Sequence, residues 1–119
     1  MATYEEIIID QGADVSIELE LVETDGSKKD LTGYTCYAKM KRNYNSTADS
    51  DVVDFATIVG DPATDGVITM SLTNGQTDTL NTRGRYVYDV EIQFQDSDSN
   101  TIIERVLEGK IKVSPSVTR

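Results

Sequence analysis

The chain has no histidine, no tryptophan and a single cysteine, Cys36. Without imidazole there is no Ser-His-Asp triad, no HExxH zinc site and no histidine acid–base chemistry. One thiol forms neither an intrachain disulfide nor a CxxC metal site. No apolar run approaches the ~20 residues that cross a bilayer. The first nine residues carry Glu5 and Glu6 but no basic n-region, so no secretory signal is expected. Positive charge is scarce: 11 Lys+Arg stand against 21 Asp+Glu, a net of −10. Bulk electrostatics will hold such a chain to neither nucleic acid nor an anionic membrane. The glycines stand singly, so a Gly-rich phosphate loop is missing too. These absences disfavour most enzyme classes.

What is present fits one domain over residues 1–119, long enough to bury roughly 65 % of its unfolded surface. The charge is unevenly placed. Residues 1–30 hold nine acids and two bases, whereas 31–50 hold Lys39, Lys41 and Arg42 against Asp49 alone. An acidic leading edge is thus followed by one small basic strand. Such a face is either simply solvated or a docking surface for a partner of opposite sign.

Period-two alternation, the mark of half-buried strands, recurs along the chain. Val15, Ile17, Leu19 and Leu21 alternate with Asp14, Ser16, Glu18 and Glu20. Cys36, Ala38 and Met40 oppose Tyr37, Lys39 and Lys41, and Ile68, Met70 and Leu72 oppose Thr69 and Ser71. In the longest run Tyr86, Tyr88, Val90, Ile92 and Phe94 share a face; Leu107, Gly109, Ile111 and Val113 share one in the last. Val52–Val59 changes phase between Phe55 and Ile58, which predicts a bulge or a crossing between sheets. Thr73 and Gln76 have capping-box spacing, so one short helical turn is expected near 73–80. Asn43–Ser50, Asp65-Gly66 and Asp96–Asn100 read as connections. Seven to eight strands with polar turns give an all-β fold, an antiparallel β-sandwich, with a small barrel as the other arrangement the spacing allows.

The segment Leu80–Tyr88 looks like the tyrosine corner of immunoglobulin-like sandwiches: a helical turn, then Gly84, then Tyr86 opening a long strand. Tyr86, Gly84, Gly33 and Leu80 are accordingly expected to be structural. Tyr88 stands where those domains often place a cysteine. Asp96-Ser97-Asp98-Ser99-Asn100 begins like an EF-hand loop, but Thr101 and Leu107 replace the required Gly and Glu, so it reads as a hairpin turn. Asn45-Ser46-Thr47 matches a glycosylation sequon and, without a secretion signal, reads as chance. Cys36 reads as a buried inert thiol. No catalytic, cofactor-binding or metal-ligating residue is assigned, and no cofactor is expected. The interface candidates are Ile7, Ile8 and Ile9, an edge strand or partner-pairing arm within residues 1–9, together with Tyr37, Lys39 and Lys41. Residues 114–119 read as a tail. A carbohydrate-binding sandwich is the ligand-binding alternative, with Tyr37 and Tyr44 as the outward aromatics.

Asp10-Gln11-Gly12-Ala13-Asp14 before one strand, Asp30-Leu31-Thr32-Gly33-Tyr34 before the next, Asp65–Leu72, Gly84–Ile92 and the closing Glu108–Pro115 come in a familiar order. From about Ile9 to Pro115 the chain resembles small immunoglobulin-like sandwich domains of bacteriophage tails, among them the N-terminal domain of baseplate upper proteins. The resemblance implies a non-enzymatic virion structural or assembly protein in the tail, baseplate, neck or fibre attachment region. It implies other virion proteins as partners, a homo-oligomer in the particle, and no nucleic acid or membrane. A capsid decoration protein is the alternative location.

Overall fold

A computed structural model of the chain describes residues 3–45 and 52–117. Along the chain lie β1 (Thr3–Tyr4), β2 (Ile7–Asp10), β3 (Val15–Glu20), β4 (Thr35–Lys41), β5 (Val52–Asp54) and β6 (Ala56–Val59). They are followed by β7 (Val67–Leu72), α1 (Asn74–Asp78), β8 (Arg85–Gln95) and β9 (Thr101–Ser114). One sheet has the order β1-β9-β8-β4-β5, with β2 beside β9 on the same edge as β1; the other has the order β3-β7-β6. Two packed sheets make a sandwich rather than a barrel, and the immunoglobulin-like class expected from the sequence is the fold observed.

The nine strands among the described residues are seven chain segments, because two segments are interrupted. β1 and β2 form one edge, broken at Glu5-Glu6 and running parallel to β9. Opposite that break is Gly109, where any Cβ would collide with the Glu5 backbone. β5 and β6 form one segment that changes sheets at Phe55. Val53 pairs with Met40 in the larger sheet and Thr57 pairs with Met70 in the smaller one. Phe55 itself is buried and donates its backbone N–H to the Ala38 carbonyl at 3.0 Å. The phase change in the sequence is therefore a strand crossing from sheet to sheet.

Inward residues of both sheets fill the space between them. Met40, Met70, Val90, Ile92 and Ile111 are fully buried, as alternation requires. A bulge between Val90 and Glu91 shifts the β8–β9 register, so Leu107 faces Val90 while Arg105 faces Glu91. Thr73 caps α1 reciprocally with Gln76, and the buried Thr77 hydroxyl pins the turn to the Ala13 carbonyl at 2.8 Å. No helix among the described residues is long and apolar enough to cross a membrane.

Of the two readings of residues 1–9, the structure shows the edge strand and not the arm: Ile7, Ile8 and Ile9 pair with Ile111, Lys112 and Val113 of the same chain. Ile9 is a core residue, Ile7 is half-buried, and only Ile8 is exposed, at 69 %. Ser46 and Thr47 of the sequon, the end of the Asn43–Ser50 connection and the last two residues of the tail lie outside the described residues.

Candidate functional site

β4 faces two environments. Cys36, Ala38 and Met40 point into the core, so Tyr37, Lys39 and Lys41 must point away from it. Register then gathers a face that no single strand contains. Lys39 lies beside Asp54 of β5 and Asp89 of β8, and Tyr37 lies beside Glu91, which in turn faces Arg105. Lys41 flanks Val87, whose other neighbour is Lys110, and Arg85 pairs with Lys112. Lys39, Lys41, Arg85, Arg105, Lys110 and Lys112, six of the chain's 11 bases, thus project from the outer face of the larger sheet.

Several of these charges are internally matched. Lys39 meets Asp54 at 3.4 Å, Arg85 meets Glu6 at 3.0 Å, and Arg105 reaches Asp89 at 3.4 Å and Glu108 at 4.0 Å. All are half-exposed, so each pair is worth at most about 1 kcal/mol and orients side chains more than it stabilises the fold. Lys41, Lys110 and Lys112 make no ion pair among the described residues. A concavity of about 650 Å³ opens on this face where β5 turns away, lined by Tyr37, Tyr44, Lys39, Lys41, Glu91 and Arg105. Tyr37 and Tyr44 are exposed by 53 % and 76 %. Phe55 and Val87 also line the concavity, so aromatic rings, apolar side chains and lysine stems make an amphipathic surface.

The outer face of the smaller sheet is different. β3 presents Ser16, Glu18 and Glu20, β7 presents Thr69 and Ser71, and β6 presents Ala56 and Ile58. None of these named residues is a base, and Ile58 is 66 % exposed.

The structure therefore brings Tyr37, Lys39 and Lys41 together in one surface and separates them from the isoleucines. The Tyr86 hydroxyl accepts the Asn81 backbone N–H at 2.9 Å, the tyrosine-corner bond, beneath the Arg42 guanidinium. Leu80 is buried, and Gly33 and Gly84 take φ of +82° and +70°, open to glycine at little cost. Cys36 is buried. The Asp96 carboxylate accepts the backbone N–H groups of Asp98 and Asn100, both at 2.9 Å, so the turn uses its own acid. Among the described residues no three His, Cys, Asp or Glu side chains group to hold a metal ion. Alternation within β8 and β9 turns Arg85, Lys110 and Lys112 outward, but nothing within either strand joins them to Lys41. Outwardness follows from alternation within a strand, whereas adjacency follows from register between strands.

No protein-family model matches the chain, and neither does any curated protein. Among solved structures, the fold recurs in murine CRIg, with a TM-score of 0.52 at 16 % identity over 92 % of each chain. It recurs in the N-terminal domain of phage TP901-1 ORF48, with a TM-score of 0.55 at 13 % identity over 92 % of this chain and 85 % of that one. At such identities the likeness is one of fold.

Proposed function

We propose that this chain is a non-enzymatic bacteriophage virion structural or assembly protein, a docking module of the tail, baseplate, neck or fibre attachment region. The observation that carries the reading is the phage domain whose sandwich matches nearly the whole chain. The order of turn-and-strand motifs from Asp10 to Pro115 supports it independently. The docking surface in this reading is the outer face of the larger sheet, through Tyr37, Lys39 and Lys41, and the partners are other virion proteins. Rigid strands hold these side chains at fixed spacing, so little ordering entropy is lost when a partner docks.

The test is quantitative mass spectrometry of gradient-purified particles of the virus encoding the chain. Peptides at a fixed, small-integer ratio to a known tail protein are expected. Peptides confined to the cell lysate and absent from particles would overturn the reading. A particle map would separate a tail site from capsid decoration. Exposure of Tyr37 and Tyr44 beside the concavity favours one second reading, a glycan-binding surface. A glycan array with no signal above a Tyr37→Ala, Tyr44→Ala control removes it.

A further inference from the structure

The sandwich is electrically two-sided, and its two outer faces share a pitch. Lys110 and Lys112 stand two residues apart on β9, so their Cα atoms are about 7 Å apart. Glu18 and Glu20 stand two residues apart on β3, at the same spacing, both exposed. Lys41 lies two strands from Lys110 through Val87, an offset of about 10 Å. Ile58 lies two strands from Glu18 through Thr69, the same offset. None of Lys41, Lys110, Lys112, Glu18 and Glu20 makes an ion pair among the described residues, so each retains its charge for a partner.

We infer that the occupant of the larger sheet's outer face is a second copy of this chain, which docks the outer face of its smaller sheet there. Glu18 and Glu20 of the second copy then meet Lys110 and Lys112, while Thr69 lies over Val87 and Ile58 over the Lys41 stem. The contact is heterologous. A two-fold arrangement would set one kind of face against itself, leaving Lys110 and Lys112 without Glu18 and Glu20. Each copy keeps one face free, so copies continue head to tail into a ring or a stack. The area of a three-stranded face, about 14 Å by 20 Å, buries roughly 600 Å² in all, well under a stable standard interface. Single contacts are therefore weak, and the arrangement gains strength only where a particle holds several copies side by side. This inference rests on the docking face proposed above and specifies its partner.

Sedimentation equilibrium of the purified chain at up to about 1 mM in low salt tests it. The expected result is an average mass that rises beyond the dimer with concentration, with an association constant falling at least ~10-fold in about 0.5 M NaCl. Lys110→Glu/Lys112→Glu and Glu18→Lys/Glu20→Lys double variants, each folded by far-ultraviolet circular dichroism, are expected to be monomeric alone. Mixing a variant with wild type should cap the assembly, shortening it in proportion to the variant added. Four results would overturn the inference: a strictly monomeric wild type, association that stops at a dimer, indifference to salt, or wild-type assembly by either variant. Were the wild type monomeric while lysines of the larger sheet are shielded in particles by another protein, self-docking would fail and the docking face itself would stand.

Discussion

The Tyr88 hydroxyl donates a hydrogen bond to the Glu5 carbonyl at 2.8 Å, joining residues 83 apart in sequence. Tyr88 is a core residue of β8, and Glu5 sits at the break between β1 and β2. Gly109 leaves the gap through which they meet, since it pairs with Tyr88 and has no Cβ to strike Glu5. Many immunoglobulin-like domains place a cysteine at this point to tie their sheets covalently. Here a phenol ties the first strand to the centre of the larger sheet instead, and does so without an oxidising environment. That bond holds closed the edge beside β9, the strand from which Lys110 and Lys112 project.

Tyr88→Phe keeps the ring and deletes the bond. The Glu5 carbonyl loses its core partner, so stability should fall by about 1 kcal/mol in urea denaturation, with faster amide exchange at Ile7–Asp10. Burial, reinforced by the nearby Glu5 carboxylate, pushes the Tyr88 hydroxyl up to about 12. Above its ordinary value of 10.0 the unfolded chain releases this proton while the folded chain retains it. Stability therefore declines as pH rises from about 10 to 12. The Phe variant should lose that part of the alkaline decline, as a comparison of urea midpoints across this interval would show.

Gly109→Ala drives a methyl group into the Glu5 backbone. Backbone on both sides cannot yield as a flexible side chain would, so a loss of about 2–3 kcal/mol is expected. Hydrogen exchange should localise the damage to β1 and β2, leaving β3 and β7 protected.

Tyr86→Phe orphans the Asn81 backbone N–H at the tyrosine corner. The bond is half-buried and Asn81 is exposed, so a loss of about 1 kcal/mol is expected. Tyr37→Phe, on the exposed face, should stay within about 0.5 kcal/mol of wild type. Thermal or urea unfolding of the pair of variants distinguishes a structural tyrosine from a surface one.

Asp30 accepts hydrogen bonds from the Thr32 hydroxyl at 2.6 Å and the Thr32 backbone N–H at 2.9 Å, which hold its carboxyl below the ordinary carboxylate value. Stability from this turn is present above that ordinary value and is lost as pH falls through the lowered one. Asp30→Ala should therefore unfold earlier in urea near pH 7, and the difference from wild type should shrink as the solution is acidified toward about pH 2.

The fold was largely legible because alternation within strands is local. Tyr86, Val90 and Ile92 announce their own inward face, and the Phe55–Ile58 phase break announces the crossing. Thr73 and Gln76 likewise fix a capped turn from four consecutive positions. What was hidden depends on register. The sequence places Lys41 and Lys110 far apart, and only their shared neighbour Val87 makes them lateral partners. The Ile7-Ile8-Ile9 run left edge strand and arm both open, because an unbroken apolar triplet has no period from which to tell its core side from its exposed side. The parallel partner β9, a hundred residues on, supplies that distinction.

The central claim is that the chain works by presenting the outer face of its larger sheet to neighbours in a phage particle. A density map of the intact particle, with the sandwich fitted into it, measures this directly. The account predicts Tyr37, Lys39, Lys41 and Lys110 buried against a neighbouring protein. A fitted sandwich with that face open to solvent, held only through its ends or loops, would contradict it.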